Sequence, residues 1–152
     1  MMSEIPALPP QIIEQTSKMM AMGQLNIPPP IFLDMDGEFV TIDLEEKKLA
    51  VRFPVKERYQ NPMGNMQGGM IATAVDNAIG PLSFMVAPPN VTKRLQMSYI
   101  KPIHATLSHI IVEAQFEGKN GRELTFLANV LDEEGNLLAQ GKSINVIIRQ
   151  PD

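Results

Sequence analysis

Asp76 is the only charged residue between Arg58 and Lys93. It lies in an apolar segment, residues 67–86, whose period is that of a helix. A carboxylate among Ala, Gly and Thr residues costs free energy unless water or chemistry makes use of it. If the carboxylate takes part in a reaction, it could act as a general base or a nucleophile. The position alone leaves both readings of Asp76 open.

A glycine pair, Gly68 and Gly69, opens the predicted helix shortly before Asp76. Free N–H groups at a helix start carry a partial positive charge of about half a unit and can bind a carbonyl oxygen. Because glycine has no Cβ, a ligand can approach this backbone closely. A plain strand-to-helix turn would also use such a pair. Together with Asp76, however, it predicts a site that polarises a carbonyl and supplies a base.

The segments around these residues predict an α+β fold. Period-two alternation predicts a hairpin over residues 39–55 and, after the helix, four strands forming a meander. The four strands are expected over residues 92–100, 106–117, 122–131 and 137–148. Near the N-terminus, a short helix is expected over residues 11–22, and Pro28-Pro29-Pro30 predicts an extended connector.

The central helix has two unlike faces. Nine apolar side chains fall on one half of its circumference, so we expect a six-stranded antiparallel sheet to curl around that half. Asp76 falls on the other half, where a solvated helix would normally carry Lys, Glu and Arg. That half holds small residues instead: Ala72, Thr73, Gly80 and Ser83. A second copy is the expected cover, with Asp76 at or beside the interface.

Composition excludes several classes of function. The 152 residues fit one structural domain, divided into residues 1–37, an N-terminal helix and Pro-rich connector, and residues 38–152. A net charge of −4 disfavours nucleic acid and anionic membranes as partners. The chain has no Cys, which excludes thiolate catalysis and Cys-ligated zinc. With two His residues and no ligand motif, no metal site or cofactor is expected.

The expected location is the cytoplasm. Residues 1–6 lack the basic segment and apolar stretch of a signal peptide. Asp76, Asn77 and Pro81 interrupt the most apolar run, which argues against a membrane span.

The motifs resemble those of the hotdog-fold acyl-CoA thioesterases, especially the phenylacetate-pathway and 4-hydroxybenzoyl-CoA branch. That family has an Asn, a Gly three residues later, His-Gly-Gly, and then an acid near mid-helix. The corresponding residues here are Asn61, Gly64, Gln67-Gly68-Gly69 and Val75-Asp76-Asn77. Further matches are Thr92, Tyr99-Ile100-Lys101-Pro102 and Ala139-Gln140-Gly141-Lys142. The resemblance covers about residues 38–148.

The resemblance implies hydrolysis of an acyl-CoA to free acid and CoA by a homodimer or homotetramer. The Gly68 amide would polarise the thioester carbonyl, with Asn61 beside it. Asp76 of the facing subunit would act as base or nucleophile, and Thr92 would hold the water or the carboxylate. Gly69, Asn77, Lys93 and Arg94 would contact the substrate, with Lys101 and Lys142 as further candidates for the CoA phosphates.

Gln67 departs from the family pattern, because it stands where the family usually has His. Gln keeps a donor and an acceptor but cannot titrate. The alternative function is therefore a catalytically silent hotdog dimer that binds acyl-CoA or a fatty acid as a sensor or carrier. A hotdog dehydratase is disfavoured because neither His104 nor His109 falls in the segment such a site needs. A DNA-binding regulator is disfavoured by the charge and by the lack of a separate helix-turn-helix.

Overall fold

The structure, a computed structural model, describes Pro10 and residues 28–149. Its helices are α1 (Pro30–Asp34) and α2 (Gly68–Val86), with a 3₁₀ turn at Glu57–Tyr59. Its strands are β1 (Glu38–Asp43), β2 (Lys48–Pro54), β3 (Asn90–Tyr99), β4 (His109–Asn120), β5 (Glu123–Leu131) and β6 (Leu137–Ile147). They form one open antiparallel sheet in the order β1-β2-β4-β5-β6-β3. The predicted six-stranded sheet with one long helix is confirmed.

The core lies between α2 and the inner face of the sheet. Alternate residues of the strands point inward, as in β4, where Ile110, Val112 and Ala114 are buried. The helix contributes its buried apolar residues: Ile71, Ala74, Val75, Ala78, Ile79, Leu82 and Met85. With 19 mostly apolar residues, α2 is by length and composition able to span a membrane. Its apolar side chains cover the sheet, as expected of a core helix.

Gly141 of β6 sets how closely α2 approaches the sheet. A Cβ at this buried position would lie 2.8 Å from Val75 Cγ1 and 3.0 Å from Met97 Sδ. Real Cβ atoms are not found at such distances, so a larger residue would push the helix or the Met97 side chain away. Because Val75 precedes Asp76 in α2, this contact also fixes the height of Asp76 above the sheet.

The prediction that all four strands after the helix form a meander is wrong for β3. Of these four strands, only β4, β5 and β6 lie beside one another in chain order, while β3 pairs with β6 at the far edge. The link from β3 to β4 is not a tight turn. It passes the start of α2, where Met66 N donates to Ile103 O at 2.8 Å and Asn65 bridges to His104. These contacts carry the chain across to β2, which is the partner of β4.

The triple proline is only partly the predicted connector. Pro30 begins α1, with Pro29 as its extended N-cap. Proline suits this position because the first turn of a helix needs no intrahelical N–H donor. Phe32 of α1 is buried and stacks on Phe39 with ring centroids 5.3 Å apart. The helix predicted over residues 11–22 lies outside the described residues.

We expect Gly141→Ala to lower the free energy of unfolding by about 1–3 kcal/mol, the usual cost of overpacking a core. The measurement is urea denaturation followed by circular dichroism. Gly118→Ala is the matched control, because a Cβ at Gly118 in β4 meets nothing within 4 Å. Equal stability of the Gly141 and Gly118 variants would contradict the close contact between β6 and α2.

Candidate functional site

The start of α2 presents two open amides. Gln67 is the N-cap, and its carbonyl accepts hydrogen bonds from Met70 N at 2.9 Å and Ile71 N at 3.1 Å. In the described part of the chain, Gly68 N and Gly69 N donate to no acceptor, and no side chain caps them. Two donors at the positive end of the helix dipole are therefore available to a carbonyl oxygen or an anion.

The two glycines face different surroundings. A Cβ on Gly68 would lie 3.2 Å from Tyr99 Cζ, so the Tyr99 ring occupies the space next to it. The Tyr99 hydroxyl donates to Gly68 O at 2.7 Å. Around Gly69 there is nothing within 4 Å of such a Cβ. The missing side chain thus admits Tyr99 at Gly68 and leaves open space at Gly69.

Asn61 organises the loop that leads into α2. Its Oδ1 accepts hydrogen bonds from Met63 N at 2.9 Å and Asn65 N at 3.1 Å. Its backbone N donates to Asn65 O at 2.7 Å, and Gly64 N donates to Asn61 O at 3.0 Å. Gly64 has φ +81°, a conformation that glycine adopts without strain. Because two backbone donors fix Oδ1, the amide group of Asn61 has one orientation and Nδ2 is left over as a donor.

Asp76 and Thr92 lie together. Thr92 Oγ1 donates to Asp76 Oδ1 at 3.1 Å, which joins α2 to the beginning of β3. Asp76 is exposed in the single chain and forms no ion pair with any described residue. A hydroxyl thus orients one oxygen of the carboxylate, while the second oxygen stays open to water.

A β-bulge at Lys93 places the residues after Thr92 on the other side of the sheet. Thr92 pairs with Asn145 and Arg94 with Ile144, so Lys93 is the extra residue. Asn145 faces the core and Ile144 the outer surface, and paired residues share a face. Arg94 therefore points away from Asp76. The structure does not bring these two residues together, and a role for Arg94 in holding CoA phosphates stays a prediction.

Lys93 has an anionic partner on the same outer surface. Its Nζ bonds Glu123 Oε1, and this hydrogen bond together with the lysine charge holds the pKa of the Glu123 carboxyl below its usual range. A phosphate would have to compete with Glu123 for Lys93. Its predicted contact with the substrate likewise stays a prediction.

Two other candidates differ in accessibility. The side chain of Gln67 is exposed at the helix start, beside the open amides. Asn77 is buried, and its Nδ2 donates to Thr73 O at 2.9 Å, so it supports the helix in the single chain. Ser83, expected beside Asp76, is also buried, and Asn90 Nδ2, at the start of β3, donates to Ser83 O at 3.4 Å.

A cavity of about 1050 Å³ lies on the outer face of the sheet. Its walls come from all six strands and include Glu113, Leu127 and Lys142. Asp76 and Gly68 lie on the opposite side of the sheet and take no part in it. The cavity is therefore not the candidate site, which lies on the exposed face of α2.

The two halves of the candidate site are far apart in one chain. Gly68 and Asp76 are separated by eight residues of continuous helix, which at 1.5 Å per residue is about 12 Å along the axis. A polarising donor sits about 3 Å from the carbonyl oxygen, and a base reaches the carbonyl carbon through one water. The Gly68 amide and the Asp76 carboxylate of one chain therefore cannot serve the same carbonyl.

Sequence reasoning missed the contact between Tyr99 and Gly68. Its position in Tyr99-Ile100-Lys101-Pro102 was a signal, but the contact with Gly68 spans 31 residues and depends on where β3 lies. Alternation along β3 predicts which face of the sheet Tyr99 is on, but it does not predict that Tyr99 contacts Gly68.

The chain is similar to known acyl-CoA thioesterases. Mouse acyl-coenzyme A thioesterase 13 is 31% identical over 101 residues, which cover 63% of this chain and 70% of that protein. A phenylacetic acid degradation-related protein of Ralstonia eutropha JMP134 has a TM-score of 0.74 at 20% identity, over 86% of this chain and 98% of that one. A Streptococcus mutans UA159 protein bound to acetyl-CoA has a TM-score of 0.66 at 17% identity, over 75% of this chain and 91% of that one. No protein-family model matches the sequence.

The structural similarity supports the fold, and the sequence similarity supports the family. Similarity to the solved structures concerns the fold, and it confirms the predicted hotdog architecture. Similarity to the mouse enzyme is a similarity of sequence that extends over more than two thirds of that protein. The chain belongs to the hotdog-fold acyl-CoA thioesterase family.

Proposed function

We propose that this protein hydrolyses an acyl-CoA thioester to a free acid and CoA, at sites formed between two copies of the chain. The observation that carries the proposal is the pair formed by Asp76 and Thr92 on the exposed face of α2. A carboxylate that is oriented by a hydroxyl and free of cations is suited to activate a water molecule. The acyl-CoA class follows from the family and from acetyl-CoA in the S. mutans relative.

The second copy follows from distance and from the exposed surfaces. Because one helix separates Gly68 from Asp76 by about 12 Å, the base for one helix start must come from another chain. Asp76 is flanked by Ala72, Thr73 and Gly80, whose small side chains allow a close approach. Beside this face, β3 is an edge strand of ten residues, and one of its sides pairs with no described strand. Such an edge is a ready surface for a second copy.

In the proposed reaction, the thioester oxygen lies at the start of α2 and accepts hydrogen bonds from the Gly68 and Gly69 amides. A water held by Asp76 of the second copy attacks the carbonyl carbon and loses its proton to the carboxylate. The tetrahedral oxyanion is stabilised by the amides, each worth about 3 kcal/mol in a site of this type. The C–S bond then breaks, and the leaving thiolate takes the proton from Asp76, so that CoA leaves as the thiol and Asp76 is again a carboxylate.

Direct attack by the Asp76 carboxylate is the other route. The carboxylate would displace the CoA thiolate and form a mixed anhydride, which water then hydrolyses to the free acid and the original carboxylate. A single turnover in H₂¹⁸O distinguishes the two routes, because label enters the aspartate only when the anhydride forms and water attacks its aspartyl carbonyl.

Asn61 and Gln67 complete the carbonyl side of the site in this proposal. The Asn61 Nδ2 donor is oriented by the loop and donates to no described residue. Gln67 is exposed beside the open amides and can donate or accept without changing charge. It would position the thioester but not transfer a proton.

We expect Asp76→Asn to lower kcat by at least about 100-fold, the usual loss when a general base is removed. Thr92→Val should lower kcat by roughly three- to tenfold, because it removes one hydrogen bond. The assay follows thiol release from a chain-length series of acyl-CoAs. Glu113→Gln, an exposed carboxylate on the outer face, is the control and should keep the wild-type rate. Full activity of Asp76→Asn would exclude the proposed mechanism.

Two substitutions of Asn61 separate the structural role of its Oδ1 from the proposed catalytic role of its Nδ2. Asn61→Asp keeps an oxygen for Met63 N and Asn65 N but loses the Nδ2 donor. We expect this substitution to preserve the melting temperature and to lower kcat/KM by about 10–100-fold. Asn61→Ala should lower both, because the loop also loses its acceptor. Wild-type kcat/KM in the Asn61→Asp variant would remove Asn61 from the carbonyl site.

Subunit mixing tests whether the site is shared. Asp76→Asn and Asn61→Asp chains are co-expressed with different tags, and the doubly tagged heterodimer is purified. One of its two sites would carry both substitutions and the other neither, so about half of the wild-type activity should return. No recovery, or a protein that sediments as a monomer, would contradict a site between two copies.

The silent binder is the alternative outcome of these assays. Tight binding of acyl-CoA by wild-type protein with no thiol release, and no turnover in Gln67→His, would favour a sensor or carrier over a hydrolase.

A further inference from the structure

Building on the proposed thioesterase function, we propose that Tyr99 is a positioning residue that acts on the carbonyl-binding amides through the peptide group between Gly68 and Gly69. Its hydroxyl donates to Gly68 O at 2.7 Å. The Gly69 N–H is the other end of the same peptide group. The Tyr99 hydroxyl is therefore bound to the group that would stabilise the oxyanion, on the side away from substrate.

A donor at the carbonyl changes the N–H of the same peptide. It draws electron density toward the oxygen and makes the Gly69 N–H a better donor. Strengthening of this kind along a chain of hydrogen bonds is estimated at about 10–30% per bond. Gly69 N–H has no partner among the described residues, and a Cβ built on Gly69 would meet no described atom outside the helix backbone within 4 Å. The gain would therefore go to a bound carbonyl.

Tyr99 also fixes the position of the helix start. Its ring lies against Gly68, where a Cβ would come within 3.2 Å of Cζ. Tyr99 is the last residue of β3 and pairs with the buried Ala139, so it is on the helix side of the sheet. Ile100 N and Lys101 N, which follow it, both donate to Leu138 O. The strand end that carries the hydroxyl is thus anchored to β6.

The sharpest variant is Tyr99→Phe, which keeps the ring against Gly68 and removes the hydroxyl alone. We expect kcat to fall about fivefold, since one hydrogen bond is lost, and KM to change by less than about twofold. A selectively ¹⁵N-glycine-labelled sample should show a shift of the Gly69 amide signal. Ser98→Ala removes a hydroxyl from the neighbouring residue of β3 on the outer face, and should change neither kcat nor the Gly69 signal.

The outcomes separate this inference from the proposed function. If wild-type protein hydrolyses acyl-CoAs and Tyr99→Phe keeps the wild-type kcat, the role of Tyr99 is overturned and the thioesterase stands. If wild-type protein hydrolyses none of them, the thioesterase proposal fails. The Tyr99 proposal is then decided by the affinity for octanoyl-dethia-CoA, a ketone with CH₂ in place of sulfur. Weaker binding by Tyr99→Phe together with a shifted Gly69 signal supports it, and an unchanged signal or affinity overturns it.

Discussion

The distance between Gly68 and Asp76 on one rigid helix constrains how any site on this chain can work. Asp76 lies eight positions after Gly68, and the distance between them cannot shrink without breaking α2. The helix in turn is held against Gly141 and the inner face of the sheet. A carbonyl polarised at the helix start therefore needs a carboxylate from elsewhere. The partly exposed face of small residues and the edge of β3 that pairs with no described strand provide the place where a second chain could supply it.

The edge strand β3 contacts α2 at both of the groups that the proposed chemistry needs. Thr92, near its start, bonds the Asp76 carboxylate, and Tyr99, at its end, bonds the Gly68 carbonyl. One strand thus sets the position of the proposed base and of the proposed polarising amides relative to the same sheet. The bulge at Lys93 lets Thr92 face the helix while Arg94 faces outward. Because β3 is also an edge of the described sheet, a second copy bound there would contact the element that orients both groups.

The sequence was enough to predict the features that depend on local periodicity. The bounds of α2, its apolar half and the exposure of Asp76 follow from the 3.6-residue period, and most strands follow from alternation. Partner choice does not follow, because alternation is the same whichever strand lies alongside. The edge position of β3 and the ion pair between Lys93 and Glu123 were therefore missed. The burial of Ser83 was also missed, because a helical projection takes no account of β3 folding back over the end of α2.

A buried polar network accounts for how β3 keeps the register that this site requires. Ser143 Oγ donates to Asn145 Oδ1, and Asn145 Nδ2 donates to Asn90 Oδ1 at 2.8 Å. Asn90 Nδ2 in turn donates to Pro88 O at 3.0 Å. Apolar side chains would fill the same space but would tolerate a shifted strand, whereas these bonds form in one alignment only. A shift of β3 by one residue would turn Thr92 to the outer face, away from Asp76. Polar groups in this part of the core thus maintain the alignment on which the carboxylate's orientation depends.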